Sequence, residues 1–342
     1  MTATFWIDLC SLMLSMRFAI TAPRILGSFR RDAADFMATY DEVALPIVDE
    51  LIHDLATRKR LADSLRSYTV KACFIVKAYT RMAGIPFMGE LAVLGLSFTR
   101  LYDDLLDECG GQDLEKRFDQ LFQSGTFLPC DDLERVLYRF YLSIESLLKR
   151  KPDDPVFKAV LAVHEYQVLS RKQRDTVDPD TLLEIARGKG GYAIVAIFAL
   201  MRESMSSAEI GLLLQFGEAI QLLDDYQDIE LDLQNGVHTV VTEGICGLPD
   251  VCEILHRLYP QFRMFYGRPG TESFLAVFYL TMCLSFLRRH WPSLGTAPRR
   301  DRAMSPGSAL KVLLVPGDNL VQEARARAHR SGGRQTGPDR KR

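Results

Sequence analysis

The sequence predicts an all-α protein. Apolar residues recur at helical spacing from about residue 4 to about residue 290, and the alternating pattern of strands is almost absent. Short stretches rich in glycine and proline divide this region into segments that are mostly longer than an average globular helix. We therefore expect one helical domain over residues 1–295.

The helix boundaries follow from these stretches. The longest helix is expected from residue 206 to residue 234, where Ser206 or Ser207 caps its start and Asn235-Gly236 ends it. The other breaks are expected at Pro23, 84–89, 109–113, 151–155, 175–180 and 267–270.

Composition restricts the class of protein. The chain has 342 residues, of which 47% are hydrophobic and 25% charged, enough apolar material for a large core. Its formal net charge of -2 gives no overall attraction to nucleic acid or to anionic membranes, so no nucleic-acid partner is expected. Seven scattered cysteines without CxxC spacing predict neither a disulfide framework nor a zinc site, and they fit a cytoplasmic location.

Two apolar segments are expected to pack within the protein, with no integral membrane span. Residues 3–22 contain Asp8 and Arg17 and lack a basic leader. Residues 272–291 are apolar on most sides but interrupted, which is typical of a central or interface helix. From about residue 296, prolines, glycines and basic residues replace the apolar pattern, so residues 296–342 are expected to be a disordered basic tail.

Two clusters of aspartates end two of the apolar helices. The first lies in "RLYDDLLDE", residues 100–108, and the second in "QLLDDYQDIELD", residues 221–232. In each, the first and last aspartate of Asp-Asp-x-x-Asp share one helix face, where like charges repel unless a cation neutralises them. A single acidic helix end is usually a solvated surface. Two such clusters in one chain are harder to explain as solvated surface. In addition, acidic residues at a helix C-terminus interact unfavourably with the helix dipole, so their presence there indicates a function.

The aspartates predict a site for Mg²⁺ and a phosphate or diphosphate substrate. Ligand sets made only of oxygen suit Mg²⁺, which keeps several waters and is usually shared between carboxylates and substrate phosphates. The candidate ligands are Asp103, Asp104, Asp107, Asp224, Asp225 and Asp228.

The order and spacing of these motifs, across roughly residues 40–260, resemble the class I isoprenoid fold shared by trans-prenyl diphosphate synthases and class I terpene synthases. The resemblance implies a helical bundle around a central apolar cavity and about three Mg²⁺ ions that bind a prenyl diphosphate. A homodimer is compatible with it.

The resemblance also implies roles for single residues. The catalytic group would be Asp103, Asp107, Asp224, Asp228 and Lys189, the lysine of "ARGKGG". The substrate would also contact Arg187, Gln167, Gln221 and Phe98, whose ring would shorten the usable cavity. The segment around Gln167 departs from the family's QxxD, because Ser170 takes the place of the aspartate.

The sequence also offers an alternative to the aspartates of residues 224–228 as the second metal site. Asn235, Thr239 and Glu243 have the N-x3-T-x3-E spacing of the metal triad of many terpene synthases. Because Asn-Gly is also an ordinary helix stop, we favour the aspartates.

Missing cations favour a terpene synthase over a chain elongase. The elongases' Gly-Lys-x-x-Arg-Pro and the arginine pair after the first motif, which bind isopentenyl diphosphate, are absent. We therefore expect a Mg²⁺-dependent terpene synthase that ionises an allylic diphosphate and cyclises or quenches the carbocation. The alternatives are an elongase in which Lys71, Lys77 and Arg81 form an improvised second site, and a non-catalytic partner subunit of such an enzyme. Phe98, five residues before the first aspartate, favours a C15 substrate over C20 or longer, unless its ring faces a neighbouring helix and limits nothing. Product skeleton and oligomeric state are not predicted.

Overall fold

The computed structural model describes residues 3–109, 112–149, 154–175 and 177–291, without the side chains of Arg24 and residues 107–109 and 112. In these ranges it confirms the all-α prediction, with twelve α-helices and no strand. The predicted tail, residues 296–342, lies outside the described residues. The helices are α1 Ala3–Leu14, α2 Ala22–Val43, α3 Leu45–Leu51, α4 Leu55–Ala83, α5 Gly89–Cys109, α6 Gln112–Ser124, α7 Asp132–Leu148, α8 Pro155–Leu169, α9 Pro179–Ala199, α10 Ser207–Asn235, α11 Leu248–Tyr266 and α12 Arg268–His290. Two 3₁₀ segments, Met16–Thr21 and Ser170–Arg174, follow α1 and α8.

Capping residues fix the ends of the long helices. The predicted cap of α10 is confirmed, since the Ser206 hydroxyl accepts a hydrogen bond from the backbone N–H of Glu209 at 3.2 Å. Asp54 caps α4 and Asp178 caps α9 in the same way. At the other ends of α4 and α10 lie Gly84 and Gly236, with φ of 67° and 65°, a left-handed conformation that favours glycine.

Glycines let α9 approach both of its neighbours closely. A Cβ atom at Gly190 would lie 2.3 Å from the carbonyl oxygen of Gly217 on α10, and one at Gly188 would lie 2.2 Å from the ring of Tyr166 on α8. Real Cβ contacts are not that short, so these positions exclude larger residues. The contact places Lys189, between the two glycines, beside α10.

Helix α12 forms part of the core. Phe274 and Phe278 are fully buried and pack against Phe216 of α10, with ring centroids 4.8 and 5.1 Å apart. Among the described helices only α12 is long and apolar enough to cross a membrane, and half of its most apolar stretch is buried within the protein. The packing of α12 therefore agrees with the expectation of a core or interface helix.

Buried carboxylates connect helices that are distant in the sequence. Asp8 of α1 accepts a hydrogen bond from the Tyr226 hydroxyl of α10 at 2.6 Å, and His290 of α12 lies 3.2 Å from the same oxygen. Glu209 accepts hydrogen bonds from Arg202 and from the Tyr266 hydroxyl at 2.6 and 2.7 Å. These bonds satisfy carboxylates that would otherwise be costly to bury.

We expect Gly190→Ala to lower the free energy of unfolding by about 1–3 kcal/mol, because the added methyl group would force α9 and α10 apart. Gly211→Ala is the matched control: Gly211 lies on α10 with open space around its Cβ position, so alanine should be neutral or stabilise by up to about 1 kcal/mol. Urea unfolding of both variants measures the difference. Equal effects would contradict the proposed contact.

Candidate active site

The first aspartate cluster lies in the last turns of α5. Leu101 and Leu105 are completely buried, which turns Asp103 to a half-buried position one residue before the buried Asp104. Arg100, one turn earlier, forms a 2.8 Å ion pair with Asp104. Asp107, the third aspartate of the motif, has its side chain outside the described residues.

The second cluster presents two faces of α10. Asp224 is exposed and Asp228 is half-buried one turn later, on the same face. Asp225 is buried, and Gln221 donates a 2.8 Å hydrogen bond to it. Burial raises the pKa of Asp225 to about 7, against the effect of the Gln221 hydrogen bond. Burial and the neighbouring Asp224 raise the pKa of Asp228 to about 6.

Arg100 links the two clusters. Besides its ion pair with Asp104, it interacts electrostatically with Asp103 on its own helix and with Asp224 and Asp228 on α10. The hydroxyl of Tyr68 on α4 is influenced by both clusters as well, and burial followed by Asp103 and Asp224 raises its pKa. The structure therefore brings the ends of α5 and α10 to the same site.

Two more cations reach this site from other helices. Arg288 of α12 lies 3.9 Å from Asp228. Lys71 of α4 interacts with Asp228, Arg288 and Arg100, and burial together with these two arginines lowers its pKa to about 8. Arg100 and Arg288 are not among the site residues predicted from the sequence. The spacing of Arg100 four residues before Asp104 could have identified the first, but no sequence signal identifies Arg288.

The cation group considered for the elongase alternative, Lys71, Lys77 and Arg81, does not lie together. Lys77 and Arg81 both point to Asp32 of α2, at 2.7 and 3.5 Å, and only Lys71 lies near the aspartates of α10. Lys71 leaves α4 in a different direction from Lys77, because six residues at 3.6 per turn place the two positions about 120° apart around the helix axis.

The predicted diphosphate contacts are divided between two places. Lys189 is half-buried on α9 and interacts with Asp225. Arg187 is exposed and pairs with Glu218 of α10 at 3.0 Å. Gln167 is buried on α8. Its contact with substrate stays a prediction.

The alternative metal triad does not form one helix face. Helix α10 ends at Asn235, which is exposed, and the chain then turns at Gly236. The Thr239 hydroxyl is buried and accepts a hydrogen bond from the backbone N–H of Thr242, while Glu243 bonds His238 at 2.7 Å. The spacing that predicted the triad assumed a continuous helix.

Phe98 lies in an aromatic cluster between α5, α6 and α7. Its ring centroid is 6.0 Å from Tyr102, 6.2 Å from Phe122 and 6.3 Å from Tyr141. The Tyr102 hydroxyl in turn bonds Nδ1 of the buried His164 on α8 at 2.6 Å. These contacts hold the helix that carries Asp103. The expected role of Phe98 in limiting substrate length stays a prediction, as does the central apolar cavity.

The donor chemistry of the site fits Mg²⁺ that is shared with a bound substrate. Among the described residues no three acidic, histidine or cysteine side chains are grouped to hold a metal ion by themselves. Asp103, Asp224 and Asp228 all interact electrostatically with Arg100, and their carboxylate oxygens suit an ion whose remaining ligands are water and phosphate oxygens. The residues thus fit an ion held jointly by protein and diphosphate.

Comparison with known proteins gives similarity in structure alone. No family model matches the chain, and no curated protein matches it significantly. A geranyltransferase from Legionella pneumophila is 17% identical, with a TM-score of 0.46 over 78% of this chain and 99% of its own. A geranylgeranyl pyrophosphate synthetase from the archaeon Geoglobus acetivorans is 18% identical, with a TM-score of 0.46 over 75% of this chain and 98% of its own.

The raised pKa of Asp225 predicts a pH-dependent stability. Its value of about 7 exceeds the ordinary 3.8, so between about pH 4 and pH 7 the folded metal-free protein holds a proton that the unfolded chain has lost. The free energy of unfolding should therefore fall as pH rises through this window, by at most about 1.4 kcal/mol per pH unit from this group.

Asp225→Asn should make this fall shallower, since asparagine does not ionise and can still accept the Gln221 hydrogen bond. Urea unfolding at several pH values tests it, with Asp180→Asn, an exposed aspartate of α9, as control. An unchanged slope in Asp225→Asn would mean that Asp225 is ionised throughout.

Proposed function

We propose that the chain is a Mg²⁺-dependent enzyme that ionises an allylic prenyl diphosphate. The observation that carries the proposal is the position of Arg100, which interacts with aspartates of both α5 and α10. Carboxylates from two helices and the cations Lys71, Arg100 and Arg288 therefore share one site. Carboxylates attract the metal ion, and arginine and lysine donate hydrogen bonds to phosphate oxygens, so the combination suits a metal-bound diphosphate.

Ionisation requires stabilisation of the negative charge that develops on the leaving diphosphate. Asp103, Asp224 and Asp228 would hold Mg²⁺, which neutralises phosphate oxygens when bound. Lys71 has a pKa of about 8, so it is mostly protonated at pH 7, and an added negative charge would favour its charged form further. Lys189 beside Asp225 is placed to donate to the same substrate group.

For the fate of the carbocation, the cations favour prenyl transfer to isopentenyl diphosphate. The sequence favours a terpene synthase over an elongase because the cationic motifs that bind a second diphosphate are absent from it. Lys71, Arg100 and Arg288 supply three cations that the sequence analysis did not place together. Two diphosphates need additional cations of this kind, because each carries several negative charges.

Cyclisation or quenching of the carbocation by a terpene synthase is the second candidate. Arg100 already pairs with Asp104, and Arg288 lies near Asp228, so part of this positive charge offsets the enzyme's own carboxylates. Lys77 and Arg81, the other nearby cations of α4, pair with Asp32. This arrangement fits a single diphosphate.

We expect Asp103→Asn and Asp224→Asn each to lower Mg²⁺-dependent diphosphate release by about 100-fold or more, because each removes a charge that attracts the metal ion. Diphosphate release from an allylic diphosphate measures the effect, and circular dichroism checks the fold. Glu230→Gln, at an exposed acid on the same helix as Asp224, should keep full activity. Full activity in both aspartate variants would contradict the assignment of the metal site. An inactive wild-type protein would favour the alternative of a non-catalytic partner subunit.

Lys71→Met should raise the KM for the diphosphate substrate about tenfold or more, because a charge-assisted hydrogen bond is lost. Lys59→Met, at an exposed lysine of the same helix, is the control. Steady-state kinetics of the two variants decide whether Lys71 contacts substrate. Equal KM values would exclude that contact.

Product analysis separates prenyl transfer from cyclisation. We expect a longer prenyl diphosphate when an allylic diphosphate and isopentenyl diphosphate are supplied together with Mg²⁺, measured by extraction and mass spectrometry. A hydrocarbon or alcohol formed from the allylic diphosphate alone, with no elongated product, would establish the second candidate instead.

A further inference from the structure

The N-terminal segment of the protein turns its apolar side chains outward. Helix α1 and the following 3₁₀ segment expose a set of large apolar residues, each of which is more than half accessible to solvent. We refer to this set as the α1 face: Trp6, Ile7, Met13, Leu14, Met16 and Ile20. Scattered apolar residues are normal on protein surfaces, but a contiguous set of this kind usually marks an interaction site.

The opposite side of this segment is firmly attached to the protein. Phe5 and Phe18 are buried, and the hydroxyl of Tyr279 donates a 2.9 Å hydrogen bond to the carbonyl oxygen of Leu12. Asp8, the only acidic residue of α1, is 2% exposed and bonded to Tyr226 and His290. Rotating the helix to bury the α1 face would break these hydrogen bonds. The bonds therefore fix the orientation in which the apolar residues of the α1 face point to solvent.

Positive charge accompanies the α1 face. Residues 3–31 contain four arginines and one acidic residue, Asp8, in a chain whose formal net charge is -2. Arg17, Arg30 and Arg31 are exposed, whereas Asp8 is buried. The segment that carries the α1 face therefore exposes one cation, Arg17 between Met16 and Ile20, and no acid. Apolar side chains with exposed positive charge are the combination that binds the surface of anionic membranes.

We propose that the α1 face binds the surface of a membrane containing anionic lipids, with its apolar side chains at the boundary between headgroups and acyl chains. A symmetric contact between two copies would bring their arginines together, which like charges oppose. The basic segment at residues 325–342 carries the same sign of charge and is an unsuitable cover. The proposal does not depend on the proposed enzymatic function.

Vesicle binding by the full chain tests the proposal. We expect the protein to sediment with vesicles of phosphatidylcholine and phosphatidylserine, and more weakly with phosphatidylcholine alone or at high salt. The chain has two tryptophans, so a Trp291→Phe background reports on Trp6 alone. Its fluorescence should shift to shorter wavelength on binding. Failure to bind the anionic vesicles would overturn the proposal.

Matched variants identify the surface. Leu14→Ser with Ile20→Ser should weaken vesicle binding at least about tenfold, since two side chains that enter the lipid are lost. Leu55→Ser with Leu128→Ser is the control away from the α1 face, and Leu128 is 78% exposed, as is Leu14. Equal binding by the two double variants would overturn the proposal. The proposal would also be overturned if the wild-type protein were a dimer that does not bind vesicles and the Leu14→Ser, Ile20→Ser variant were a monomer. That result would show that the α1 face binds a second copy of the protein.

Discussion

Repulsion among the aspartates at the ends of α5 and α10 is the constraint on which the surrounding helices depend. Carboxylates in a half-buried site are stable only if they are protonated, paired or neutralised by a bound cation. The protein uses the first two means: Asp225 and Asp228 have raised pKa values, and Arg100 and Arg288 approach Asp104 and Asp228. The site is thus prepared for a change of charge when a metal ion and a diphosphate arrive.

The cations of the site come from three helices, one of which is far from the other two in the sequence. Lys71 lies on α4, Arg100 on α5 and Arg288 on α12. Half-buried Lys71, with a lowered pKa, interacts with half-buried Asp228, with a raised pKa, so each group favours the charged form of the other. Perturbed pKa values that cluster in this way are typical of functional sites.

Close packing of α9 against α10 places the other half of the site. Gly190 and Gly217 allow the backbones to touch, and this contact brings Lys189 to Asp225. The Tyr102–His164 hydrogen bond attaches the helix of the first cluster to α8, which also packs on α9 through Tyr166. The two aspartate helices are therefore connected through buried contacts as well as through their charges.

Local patterns in the sequence determined the helices, their caps and the position of the aspartate clusters, because helix periodicity, capping chemistry and i,i+4 spacing depend on neighbours along the chain. The start and end of α10 and the pairing of Asp224 with Asp228 on one face were accessible in this way. The tertiary structure alone decided which cations join the aspartates, since Arg288 is distant in the chain and Lys77 turns to Asp32. It also decided that Asn235, Thr239 and Glu243 separate where the helix ends, and that α1 buries Asp8 and exposes its apolar side chains. These outcomes depend on which helix faces meet in space, and spacing along one segment does not encode them.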